Sequence, residues 1–142
     1  IHHLEEVMKK LFIIAVLILC VPLIVSAGQP KLKSATIEPG LAATGDTVNI
    51  TVEFTGKAKN VKEVSFVVRE YPYDYPRTYL TLDKKSKKNI WKLVGPVPWD
   101  AYAQSYHLDL RALDKKGKEI VTEGMEKQST GRTGTIEFKI KY

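Results

Sequence analysis

Residues 47–54 read Thr47-Val48-Asn49-Ile50-Thr51-Val52-Glu53-Phe54, and they alternate without a break. Val48, Ile50, Val52 and Phe54 fall on one side of an extended chain, and Thr47, Asn49, Thr51 and Glu53 on the other. Successive side chains of a strand point to opposite faces, so this period of two predicts a strand with one face in a core and one in water. The same period recurs at Val64, Phe66 and Val68, at Leu80 and Leu82, at Tyr106, Leu108, Leu110 and Ala112, and at Ile136, Phe138, Ile140 and Tyr142. Trp91 and Leu93 make a further inward pair, blurred by Ile90 and Val94, and residues 31–37 form an extended basic start. No helical period lasts three turns.

Turn formers separate these runs: Pro39-Gly40, Gly45-Asp46, then clusters at 56–60, 83–89 and 114–117, and a longer polar stretch at 122–133. Short alternating runs spaced by such signals predict an all-β domain, an antiparallel sandwich of about seven strands or a small barrel. The chain has 142 residues, 44% of them apolar and 27% charged. That is the make-up of a globular domain, neither disordered nor fibrous. Its length holds one core and excludes a two-domain catalyst with an interdomain cleft.

Outward toward the N-terminus the pattern changes. Residues 11–25 are an unbroken apolar run, preceded by Met8, Lys9 and Lys10 and followed by Ser26, Ala27 and Gly28. A basic start, an apolar middle and a small-residue end are the parts of a secretory signal peptide. The run falls short of the roughly 20 residues that cross a bilayer, and Pro22 interrupts it. The expected organisation is therefore residues 1–7 as upstream read-through or a cloning scar, 8–27 as a signal-peptide helix cleaved near Ala27, and 28–142 as the domain. The membrane is met only transiently, through the leader. Cys20 lacks the small residue before it that lipidation requires, and His2 and His3 fall in the discarded stretch. With the leader gone no cysteine remains, which removes disulfides, thiolate catalysis and Cys-ligated zinc from the domain.

Trp91, Pro98 and the run Tyr106-His107-Leu108-Asp109-Leu110-Arg111-Ala112-Leu113-Asp114-Lys115-Lys116-Gly117 resemble the bacterial immunoglobulin-like and fibronectin type III-like modules. The early Pro39-Gly40, Gly45-Asp46 and Thr47-Val48-x-Ile50-x-Val52 segment is similar to them too, so the resemblance covers most of residues 31–142. It implies an immunoglobulin-like β-sandwich in which Tyr106 buries its ring at a sheet corner and bonds its hydroxyl to nearby backbone. The chain departs from antibody-type domains in lacking paired cysteines, and the 122–133 stretch is longer than a tight final hairpin. Such a resemblance speaks to fold far more than to function.

Candidate chemistry is sparse. His107 is the only histidine beyond the leader, and its parity places it opposite Tyr106, on the solvent side. A Ser-His-Asp arrangement would need Ser105 or Ser129 beside it and a fixed acid, for which only Asp109 is at hand. Asp74, Asp83, Asp100 and Asp114 lie near loops, yet they lack calcium-loop spacing, and a turn aspartate usually bonds its own backbone. Neither a metal, a cofactor nor a catalytic residue is assigned. Asn49-Ile50-Thr51 matches a glycosylation acceptor but lies within a strand.

The most informative segment is residues 70–79, with Tyr71, Tyr73, Tyr75 and Tyr79 among Pro72, Pro76 and Arg77. Prolines stiffen this loop, and rigid tyrosines give contact area at low entropic cost. The plain alternative has Tyr71 and Tyr79 covering the end of the core while Tyr73 and Tyr75 lie on the surface. Trp99 and Tyr102 join such a patch if their loop lies at the same end. Lys84, Lys85, Lys87 and Lys88 form a basic turn, by default a guard against edge-to-edge pairing and otherwise a site for anionic envelope polymers, in keeping with the net charge of +6. The expected function is an exported, non-catalytic module for protein interaction or a structural role, secreted or held in the periplasm or at the cell surface of a bacterium. Its partner is a protein or glycan of the cell envelope; export disfavours nucleic acid. The alternatives are a carbohydrate-binding module that stacks sugars on Tyr73, Tyr75 and Trp99, or a small secreted enzyme or inhibitor.

Overall fold

The computed structural model describes residues 29–120 and 134–142, so the leader, the residues ahead of it and the 122–133 stretch lie outside the described residues. The described residues form nine strands: β1 (Leu32–Glu38), β2 (Leu41–Ala43), β3 (Thr47–Phe54), β4 (Val61–Val68), β5 (Thr78–Tyr79), β6 (Thr81–Leu82), β7 (Asn89–Pro96), β8 (Ser105–Asp114) and β9 (Gly134–Lys141). One turn of 3₁₀ helix, Ala58–Asn60, leads into β4. Two sheets result, one ordered β1-β3-β7-β6 and the other β2-β9-β8-β4-β5.

Where alternation is strict, burial follows it. Val48, Ile50, Val52 and Phe54 of β3 are all buried, as are Tyr106, Leu108, Leu110 and Ala112 of β8 and Ile136, Phe138 and Ile140 of β9. These inward rows come from both sheets and meet in one layer, the arrangement of a β-sandwich. Tyr142 departs from its row: it lies past the end of β9 and is fully exposed.

Three further differences from the pattern have local causes. Leu80 and Leu82 do not share a strand. β5 pairs with β4 and β6 pairs with β7, so the chain changes sheets at Leu80, whose N–H donates to the Val64 carbonyl at 2.9 Å while its side chain is buried. Ser65, on the outer face of β4, is buried because the Arg77 guanidinium lies over it, Nη1 donating to Oγ at 3.1 Å. Finally, β2 is too short to show a period, and it runs parallel to β9, so the second sheet is mixed and not purely antiparallel.

Trp91 is buried in β7 and donates its indole N–H to Asn89 Oδ1 at 2.9 Å; the Asn89 amide in turn reaches the Lys57 carbonyl at 3.4 Å. That chain satisfies polar groups that would otherwise be costly inside the core. The core has two parts. The larger contains Val52, Phe54, Val64, Leu80, Trp91, Ala112 and Ile120, and the smaller contains Ala42, Val48, Val97, Tyr106, Phe138 and Ile140.

Candidate functional site

The smaller core lies at the end of the sandwich where β7 finishes and β8 starts. Tyr106, at the start of β8, is buried and donates its hydroxyl to the Tyr102 carbonyl at 2.7 Å. Tyr71 packs on the same cluster, its ring centroid 6.1 Å from that of Tyr106 and 6.4 Å from that of Tyr102. Its hydroxyl donates to Gln104 Oε1 at 3.4 Å. The loop at 69–77 and the loop at 98–104 are thus brought to one end and pinned together by a tyrosine between them.

Tyr75, expected on the surface, folds back instead: its ring is half-buried and meets Tyr71 edge to face at 6.2 Å and 88°. That geometry sets a positive ring edge against a negative ring face. Burial, with Asp100 and Asp74 nearby, pushes the Tyr75 hydroxyl above the ordinary tyrosine value, and burial does the same for Tyr106. Outside the cluster Tyr73 is 99% exposed, Trp99 81% and Tyr102 69%. The Trp99 ring rests on the backbone of Gly45, where an added Cβ would lie 2.5 Å from Cη2. Arg77 and Tyr79 do not join this end, since Arg77 is held over Ser65 and Tyr79 sits exposed on edge strand β5.

The outer face of the second sheet carries a polar row. His107 is half-buried there; its backbone N–H donates to Glu70 Oε1 at 2.6 Å and its Nδ1 lies 2.9 Å from Oε2. Partial burial works against the Glu70 charge, but the two contacts with His107 outweigh it and hold the carboxyl below its ordinary value. Asp109 faces Arg69, which donates from Nε at 3.0 Å and from Nη2 at 2.8 Å, and Thr135 Oγ1 donates to it at 2.8 Å. Burial again opposes charge, and Arg69 and Thr135 again prevail, so Asp109 titrates low and Arg69 high. The acid that a Ser105-His107 pair would need is therefore committed to Arg69; Ser129 lies outside the described residues. Among the described residues no group of three or more His, Cys, Asp or Glu is placed to hold a metal ion. Asp83 accepts from the Lys85 backbone at 3.1 Å, and Asp114 accepts from the Lys116 and Lys118 backbones at 2.8 and 3.0 Å, the ordinary work of turn aspartates.

Lys84, Lys85, Lys87 and Lys88 are all exposed in the turn between β6 and β7. β7 starts at this turn and ends at the aromatic loops, so the basic and aromatic features stand at opposite ends of a strand of roughly 23 Å. They do not form one surface.

The sequence reading missed a cleft of about 230 Å³ between the sheets. Both core clusters contribute to its wall: Ile50, Phe66 and Leu108 from the larger, and Val48, Phe138 and Ile140 from the smaller. It exists because the edge strands stop early. β6 pairs with β7 only at Trp91 and Lys92, and β5 pairs with β4 only at Ser65 and Phe66. Beyond those points Leu93 to Pro96 and Val67 to Val68 have no neighbour on that side among the described strands. Tyr75, from the loop that joins β4 to β5, and Thr78, the first residue of β5, line the cleft and are half-exposed. One signal was readable: Gly95 continues the inward row of Trp91 and Leu93, so the row ends on a position with no side chain.

No protein-family model matches this chain, and no curated protein matches it. Among solved structures it is similar to an alkylpurine DNA glycosylase of Pseudomonas fluorescens bound to DNA containing an abasic site analog, with 11% identity and a TM-score of 0.49 over 81% of this chain. The chain spans 31% of that protein. It is also similar to a Niemann-Pick type C2 protein from the Japanese carpenter ant, with 14% identity and a TM-score of 0.41, over 80% of this chain and 93% of that one.

Proposed function

We propose that the chain is an exported, non-catalytic module of immunoglobulin type that binds a protein partner at the bacterial cell envelope. Strand order supports the type. With β1, β3, β4, β6, β7, β8 and β9 named A to G in turn, and β2 and β5 as A′ and C′, the sheets read A-B-E-D and A′-G-F-C-C′, the immunoglobulin order. The hydroxyl of Tyr106, near the start of strand F, reaches backbone four residues upstream, as a tyrosine corner does. Trp91 stands in strand E, where antibody domains carry their tryptophan in strand C, so the likeness is to the architecture and not to that subclass.

The observation that carries the binding reading is the tyrosine cluster itself. It joins two loops rigidly and leaves Tyr73, Trp99 and Tyr102 in water, so contact would cost those rings little freedom. Sugar stacking is less well supported, because Tyr75 is packed against Tyr71 and is only half exposed. The test is site-specific photo-crosslinking in the producing cell, with a benzophenone amino acid at Tyr73, at Tyr102 and, for comparison, at Lys85. A discrete protein adduct from the first two and none from the third is expected. Equal labelling from all three positions removes the interface. A polysaccharide pull-down lost in the Tyr73→Ala, Tyr75→Ala double variant transfers the reading to a glycan.

A further inference from the structure

We propose that the cleft between the sheets is a binding site for one alkyl chain of a free single-chain amphiphile, a fatty acid or alkyl alcohol, held tail inward with its head at the rim. The cleft shares Tyr75 and Tyr106 with the aromatic end, but its ligand does not depend on the partner that the exposed rings Tyr73, Trp99 and Tyr102 meet.

Size sets the first limit. About 230 Å³ is half as large again as the ~150 Å³ apolar cavity that houses one benzene ring, so it takes on the order of nine carbons. It is too small for the paired tails of a bilayer lipid. Chemistry sets the second: no lining residue is charged, so a tail replaces water at a gain while a charged head must stay outside. The lining residues that reach water include half-exposed, hydroxyl-bearing Tyr75 and Thr78 and exposed Pro96 and Pro98, none of them charged. The net charge of +6 draws carboxylates toward the molecule without a specific ion pair.

Placement argues that the space is a site and not a packing fault. The cleft lies along the two core clusters where Ile37 and Val68, which line it, pack against both, so a tail inserted there would touch both clusters. Gly95 keeps the space open. It lines the cleft in the inward row of β7, and a Cβ built on it meets nothing within 4 Å. Its φ lies outside the left-handed region, so backbone conformation gives no reason for glycine at this position.

The experiment is calorimetric titration of the chain, purified from its producing cells, with hexanoate, octanoate, decanoate and dodecanoate below their micellar concentrations. Affinity should rise about fourfold per added methylene and level off near nine or ten carbons, where further carbons protrude into water. Decanol should bind within a few-fold of decanoate, because the head stays outside. In Gly95→Leu the plateau should move to hexanoate or shorter and decanoate affinity should fall at least tenfold, with the melting temperature at or above that of the parent. Val94→Leu, on the outer face of the same strand, should change neither. If Gly95→Leu does not fold, the parent still decides: methyl resonances of Val68, Leu108 and Ile140 must shift with decanoate while that of Val94 stays. Affinity that climbs past dodecanoate without a plateau, undiminished decanoate binding in a folded Gly95→Leu, or no saturable binding overturns the proposal. Retention on diacyl phosphatidylglycerol vesicles without binding of free decanoate would assign the surface to a membrane instead.

Discussion

Tyr106 is the residue on which the aromatic end depends, because one side chain both fills the smaller core and ties the 98–104 loop to β8. Tyr106→Phe keeps the ring and leaves the Tyr102 carbonyl without its donor, so a loss of about 1 kcal/mol is expected in urea unfolding, with m unchanged. Equal stability would mean that the hydroxyl holds nothing. The outer-face carboxylates give a pH dependence whose sign follows from their shifts. Glu70 and Asp109 both titrate lower in the folded chain, so their stabilising effect is complete above the unfolded carboxylate value of about 4 and is lost as pH falls through the lower folded values. Thermal melts from pH 6 down to pH 2 should therefore fall on the acid limb, and Asp109→Asn should flatten that limb; an unchanged slope would detach Arg69 and Asp109 from stability. Residue by residue, the sequence singled out the aromatic side chains of the two loops but left open whether those loops share an end. Tyr106 was legible because strand parity puts it inside. Tyr75 was not, since an irregular loop has no period to assign its ring a side.

At the scale of elements, legibility tracked strand length. β3 was readable to the residue, and β8 and β9 to within two at either end, because their long runs bury one face apiece. β2, β5 and β6 are two or three residues long, and their positions are fixed by the sheets they join and not by any pattern of their own. The same short edges open the cleft, which is why reading strands alone could not reveal it. The turn between β2 and β3 is a further element with one critical position. Gly45 has φ +84° and carries the Trp99 ring on its backbone, while its N–H donates to the Val97 carbonyl at 2.9 Å. Gly45→Ala adds left-handed strain of roughly 1–2 kcal/mol and displaces the indole. The Trp99 indole N–H resonance should shift while that of Trp91, buried and bonded to Asn89, stays in place. A stationary Trp99 signal would show that the ring does not rest on this turn in solution.

Across the whole molecule the question is whether two core clusters behave as one. β3, β8 and β9 run through both, so the domain should still unfold in one cooperative transition. Ile37 and Val68, both half-buried, pack against the two clusters alike, so a truncation in one cluster that touches neither of them should hardly alter the cost of a truncation in the other. Ile120 lies in the larger cluster and Ile140 in the smaller, both buried. Ile120→Val and Ile140→Val should each cost about 0.5–1.5 kcal/mol, and the double variant should equal their sum to within about 0.5 kcal/mol. Repeating the cycle with saturating decanoate should raise the coupling, because the tail would then touch the Ile140 side and the larger cluster at once and pass strain between them. Coupling above 1 kcal/mol in the unliganded chain would mean that the cleft closes in solution, and the space assigned to a ligand would be filled by the protein's own side chains.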